Sequence, residues 1–207
     1  MWDLSKISIT FIFESYLFFN SIFESHPMIS SDSQIPSLRD LEFIPYLDET
    51  GNIPENLQKK IGVYAIFDQD KTLKFVNYSR DVYISIKQHL VRQPQSCYWL
   101  KIETIEKPNR SRLETIRKAW IEENGVIPVG NGSEENLWSQ PIDAKTTMTE
   151  AEQLDYEQSE ELGKTKILKK IARRVEAKIK DELESRGVKT EIRFNPKLKE
   201  KGLLDIK

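Results

Sequence analysis

Four side chains in this 207-residue sequence have reactive or metal-binding chemistry and stand at defined places: Tyr64, His89, Cys97 and Glu114. Tyr64 lies in an apolar run, IGVYAIF, where a tyrosine is by default a core aromatic with a satisfied hydroxyl. His89 falls late in a helical pattern, where it would favour the negative end of the helix dipole. Glu114 follows Ser111 by three residues, the spacing of a capping box. Cys97, beside Tyr98 and Trp99, reads as a small buried hydrophobe. One cysteine forms no intrachain disulfide, and with His26 and His89 it is too small a set for a zinc finger or ribbon. A second group is cationic. Bases recur from Lys164 to Lys180, among them Lys169, Lys170, Arg173 and Arg174, opposite an apolar helical stripe. That face reads as a solvated surface, as a contact for a phosphate backbone, or as a surface for a partner or an anionic membrane.

Composition sets the frame for these residues. Hydrophobic residues make up 38% and charged residues 31%, with a net charge of −2. That is ordinary for a chain with a sizeable core, and it argues against a basic nucleic-acid coat without excluding a local basic patch. Residues 1–27 are set apart from the fold argument. Their apolar stretch, 7–23, is shorter than the ~20 residues of a spanning helix and carries Glu14. No positive n-region precedes it, so it does not read as a signal peptide or an established membrane span. Two readings stand: a mis-assigned start, with the chain beginning at Met28, or a packed or membrane-associating helix.

The elements that must position the candidates follow from periodicity. Residues 28–60 read as a lead-in arm. Residues 61–67 and 72–77 around Asp68-Gln69-Asp70-Lys71 predict a β-hairpin. Ser79 is placed to cap a helix over 80–91, ended by Pro94. Residues 97–105 alternate as a strand with Lys101 and Glu103 on a wet side. A helix runs from Ser111 to about Glu123, and Asn124-Gly125 stops it. Residues 132–148 are loop-like. The pattern from Thr149 to Glu152 is a capping box that opens a charged helical extension, 149–207. This extension is either one long helix or two arms broken at Gly163.

In order and spacing, residues 61–131 resemble the GIY-YIG nuclease family. Gly62-Val63-Tyr64 matches GIY, and Phe75-Val76-Asn77 stands where YIG belongs. Ser79, His89, Glu114 and Asn131 fall at the family's positions. From Met28 onward the chain also resembles uncharacterised GIY-YIG-domain proteins of cyanobacterial and plastid type. The resemblance implies that Tyr64 activates water, that Glu114 holds one divalent ion, Mg2+ or Mn2+, and that His89 belongs to the catalytic set. It also implies damage. The phosphate-stabilising arginine is Ser85, the second tyrosine is Phe75, and the motif glycine is Asn77. Losing one such electrostatic donor typically costs ~10²–10³ in rate. Arg80 is the nearby cation.

The resulting expectation is an α+β fold: a small, mostly antiparallel three-stranded sheet flanked by helices, with an amphipathic helical C-terminal extension. The function expected is a catalytically impaired nuclease-type module binding nucleic acid or a protein, with Arg80, Lys169, Lys170, Arg173 and Arg174 as contacts and no cofactor. The alternatives are an active divalent-metal endonuclease and an assembly factor with no nucleic-acid role, docking a protein partner through the C-terminal helix. The location expected is cytoplasmic, or the plastid stroma in a eukaryote.

Overall fold

The computed structural model describes residues 35–207. The readings made on residues 1–27 and the start of the arm lie outside the described residues. Strand β2 (Ile61–Phe67) is buried almost throughout, because both of its faces are covered. Tyr64 and Ile66 face one core cluster, while Val63, Ala65 and Phe67 face another. A continuous apolar run, rather than an alternating one, is what such a central strand requires. Strand β3 (Leu73–Ser79) pairs antiparallel on one side of β2, with Tyr64 opposite Asn77. Strand β4 (Trp99–Ile105) pairs antiparallel on the other side, with Tyr64 opposite Ile102. A two-residue strand, β1 (Ile44–Pro45), adds to β4 and gives the order β1-β4-β2-β3. The sheet thus has four strands, where the sequence predicted three.

The β2–β3 turn closes through the Asp68 carboxylate, which accepts from the Thr72 amide at 2.8 Å. Gly62 is required because a Cβ there would stand 2.4 Å from the Glu103 carbonyl oxygen of β4. Helix α1 (Val82–Arg92) lies on the Tyr64 face, and helix α2 (Arg110–Glu123) lies on the Val63 face. Two caps differ from expectation. Asp81, not Ser79, caps α1, accepting from the Ile84 amide at 3.2 Å. Asn109, not Ser111, caps α2, so Glu114 belongs to no capping box. In both cases the residue at the helix boundary, in extended conformation three residues before the orphan amide, is an Asx group, and the serine nearby lies off that position.

Lys101 corrects the expected wet side of β4. Its ammonium donates to the Leu38 carbonyl at 3.0 Å and sits 4.2 Å from the centroid of the Phe43 ring. Arm residues 35–43 fold over this face and bury the lysine. The carbonyls and the aromatic face replace its water.

The C-terminal extension packs on the Tyr64 face. Helix α3 (Glu135–Ser139) and strand β5 (Ile142–Asp143) structure a stretch read as loop. Helix α4 (Glu150–Gln158) starts at the predicted capping box. The break before helix α5 (Glu161–Ser185) falls at Ser159-Glu160, and Gly163 lies inside α5. Leu168, Ile171, Ala172, Ile179 and Leu183 of α5 enter the Tyr64-side core. Gly187 ends the helix at φ +75°, a conformation that suits glycine. The chain finishes with helix α6 (Pro196–Lys199) and strand β6 (Leu203–Leu204), which pairs with β5. The architecture is α+β: an antiparallel sheet with helices on both faces.

Edge strand β3 is protected by a side chain. The Asn131 amide accepts from the Val76 amide at 2.8 Å and donates to the Val76 carbonyl at 2.8 Å, as a further strand would. Asn131→Ala removes both partners from a half-buried edge, so its expected cost is about 1–3 kcal/mol in urea denaturation, with Asn131→Asp losing part of that.

Candidate functional site

Tyr64 and His89 meet. The Tyr64 hydroxyl and His89 Nε2 are 2.9 Å apart, joining the central strand to the last turns of α1. Phe75, from the neighbouring strand, lies 4.7 Å from the imidazole by ring centroid. Trp138 of α3 stacks on Phe75 at 5.0 Å with the planes 15° apart. Sequence and sheet pleat together place three of these rings: positions 64 and 75 point to one face of adjacent strands, and α1 is laid over that face. The fourth, Trp138, was not anticipated, because it lies in a polar stretch with no periodicity. A lone tryptophan beside Leu137 was the signal available there.

The cluster is closed to solvent. Tyr64 and Trp138 are each 1% exposed and His89 4%. Burial pushes the Tyr64 phenol well above its ordinary range, with the Ser85 hydroxyl partly opposing it. Burial, helped by the charge of Arg92, pushes His89 down to about 3. The phenol is thus held protonated and the imidazole neutral, in surroundings closed to bulk water. Arg92 locks the lid: it donates to the Trp138 carbonyl at 2.8 Å and to the Asp205 carboxylate at 2.7 Å.

Of the remaining sequence-predicted residues, Ser85 adjoins the Tyr64 hydroxyl and the others lie outside this cluster. Ser85 donates to the Ser79 hydroxyl at 2.8 Å, so the position expected of an arginine is a link in a turn. Asn77 accepts from the Tyr78 amide at 2.9 Å within an ordinary strand and needs no left-handed backbone. Glu114 sits on α2, across the sheet from the helix that carries His89, with Arg117 as its ionic neighbour at 3.6 Å. Among the described residues no group of three His, Cys, Asp or Glu could hold a metal ion. Glu114 belongs to no such group, and nothing beside it supports the expected Mg2+ or Mn2+ ion. Arg80 lines a separate groove with Tyr78, Asn109 and Arg110. On α5, Lys169 pairs with Glu200 at 2.9 Å and Arg174 with Glu152 at 2.6 Å, whereas Lys170 and Arg173 are exposed. Gly62 and Asn131 serve the sheet.

Cys97 has its own sealed environment. It is fully buried, and its thiol is pushed up to about 12 by burial, partly opposed by the Tyr46 hydroxyl and the Arg186 charge. Arg186 donates to the carbonyls of Pro94 and Cys97 and covers the Tyr98 ring.

No protein-family model matches the chain. A curated protein of Arabidopsis thaliana does: bifunctional monothiol glutaredoxin-S16, chloroplastic, 35% identical over 110 residues. The match takes in 51% of this chain, and the chain spans about a third (36%) of the relative. The similarity is thus to a protein named for thiol-redox chemistry. This finding corrects the expected GIY-YIG nuclease identity and the impaired-module and active-endonuclease functions built on it, and it lends no support to the assembly-factor alternative. None of them anticipated a redox relative. In the structure the Tyr64–His89 pair is sealed from solvent and Glu114 lies on the other face of the sheet. The relative's chloroplast location accords with the plastid half of the expected localisation. No helix among the described residues is long and apolar enough to cross a membrane.

The depressed His89 has a measurable consequence. Its folded-state pKa, about 3, lies below the unfolded value of ~6.5, so the unfolded chain binds the proton first as pH falls. The stability that the neutral imidazole contributes is complete above pH ~6.5 and is lost as pH drops towards 3. Between pH 6.5 and 5, before most carboxylates titrate, denaturant unfolding is expected to lose about 2 kcal/mol, and His89→Gln to show a much flatter dependence.

Proposed function

We propose that this chain serves thiol-redox chemistry without supplying the thiol, acting together with a separate thiol-bearing protein of glutaredoxin type. The observation that carries this reading is Cys97, the chain's one cysteine, buried at 0% exposure with its thiol pushed up to about 12. Thiol exchange needs an accessible thiolate, and at pH 7 such a group is ionised in only about one molecule in 10⁵. The same burial makes Cys97 unfit to hold a thiolate-bound cofactor. The relative is named bifunctional, and about two thirds of its length lies outside the match. In this reading the shared region is a part that works beside the thiol chemistry.

The exposed bases Lys170 and Arg173 of α5 form the proposed contact for the partner. Lys169 and Arg174 are already held by Glu200 and Glu152 and contribute less. The Tyr64–His89–Phe75–Trp138 cluster is the rigid support beneath this helix rather than a reaction centre. Isothermal titration of the full chain with a monothiol glutaredoxin is expected to show saturable binding. Cys97→Ser leaves that binding unchanged, and the exposed double variant Lys170→Glu/Arg173→Glu weakens it at least tenfold. The reading fails if no binding is seen, or if Cys97→Ser abolishes it. In the native protein Cys97 is also expected to react with an aromatic disulfide reagent at least 100-fold more slowly than in denaturant.

A further inference from the structure

A recess of about 380 Å³ opens between the end of α1, strand β5 and one side of α5. Its walls are apolar: Val91 and Pro94 from the end of α1 and the turn beyond it, Ile142 from β5, and Val175 and Ile179 from α5. Val91 and Ile179 belong to the buried core, so this floor is fixed by the packing of the whole sheet face. The volume and lining lie in the range of small-molecule sites, which are mostly apolar with a few placed polar groups.

The polar groups on the rim are unequal in number and in freedom. Arg92, Arg174 and Lys178 stand there against one acid, Glu182. Arg92 is committed to Asp205 and the Trp138 carbonyl. Arg174 is committed to Glu152 and, at 2.7 Å, to the Thr147 carbonyl. Glu182 is engaged by Gln95 at 2.6 Å. Lys178 is exposed and has no ion-pair partner recorded among the described residues. The recess thus combines an apolar floor with a rim on which Asp205 and Glu152 neutralise Arg92 and Arg174, so that Lys178 is the rim cation left without an ion-pair partner among the described residues. A ligand that satisfies both features has an apolar body and one anionic head. A cationic head would be repelled by the unpaired Lys178 and would compete with Gln95 for Glu182, and a fully polar anion would leave the floor wet.

We infer that this recess is a binding site for a small amphipathic carboxylate, its apolar chain against Val91, Ile142, Val175 and Ile179 and its carboxylate at Lys178. The site is independent of the reading given to Cys97 and α5's other bases. Octanoate is the probe, titrated into the isotopically labelled full chain and followed by amide NMR. Octanoate is expected to shift the amides of Val91, Ile142, Val175 and Ile179 saturably. Octanol and octylammonium of the same chain length bind at least fivefold more weakly. Lys178→Glu, an exposed change whose fold is checked by the same spectrum, weakens octanoate at least tenfold and makes octylammonium the better ligand. Lys178→Arg retains octanoate. The inference is overturned if these amides do not shift saturably, if octanol binds as well as octanoate, or if Lys178→Glu leaves the affinity for octanoate unchanged.

Discussion

The hydrogen bond between Tyr64 and His89 is the constraint on which the rest of this structure depends. It ties the central strand to the end of α1 inside a region that excludes water. The Tyr64 hydroxyl and His89 Nε2 are buried there paired with each other, with Phe75 and Trp138 enclosing them, while His89 Nδ1 and the Trp138 indole nitrogen have no hydrogen-bond partner. Trp138 is kept in place in turn by Arg92, whose second partner, Asp205, is the third residue from the end of the sequence. One chain of contacts therefore runs from the middle of the sheet to the last residues. The C-terminal segment is part of the core and not an appendage to it.

This seal decides the chemistry. The residues that resemble a catalytic set are present, and two of them touch, but the environment holds the phenol protonated and the imidazole neutral. The carboxylate that would complete the set is on the helix across the sheet, paired with Arg117. Cys97 is shut in by the same kind of packing, between Tyr46 and the start of β4, with Arg186 over it. A chain similar to part of a thiol-redox protein thus keeps its own thiol out of reach. The groups left available are on its surface: the free bases of α5 and the recess beside Lys178.

Much of the fold could be read from the sequence. The apolar run at 61–67, the turn at Asp68, the two helices and the Thr149–Glu152 capping box all lie where periodicity and local chemistry put them. What escaped was non-local. Lys101 reads as a solvent-facing residue until the arm at 35–43 is folded over it. Asn131 reads as a motif position until it is seen to pair with both backbone groups of Val76. The site suffered most. Tyr64, His89 and Glu114 have suitable types and spacing, but spacing along the chain says nothing about which sheet face a helix takes or whether Trp138 closes the gap. A resemblance carried by those few residues could not withstand these facts or the redox-named relative.

The sealed state of the Tyr64–His89 pair is tested most directly by following the His89 ring protons by NMR as pH is lowered. A neutral imidazole enclosed by Tyr64, Phe75 and Trp138 predicts that these resonances stay constant from pH 8 to pH 5 and titrate, if the fold survives, with a midpoint near 3. A midpoint near the ordinary histidine value of ~6.5 in the folded protein would contradict the account, because it would mean that water and protons reach the pair freely.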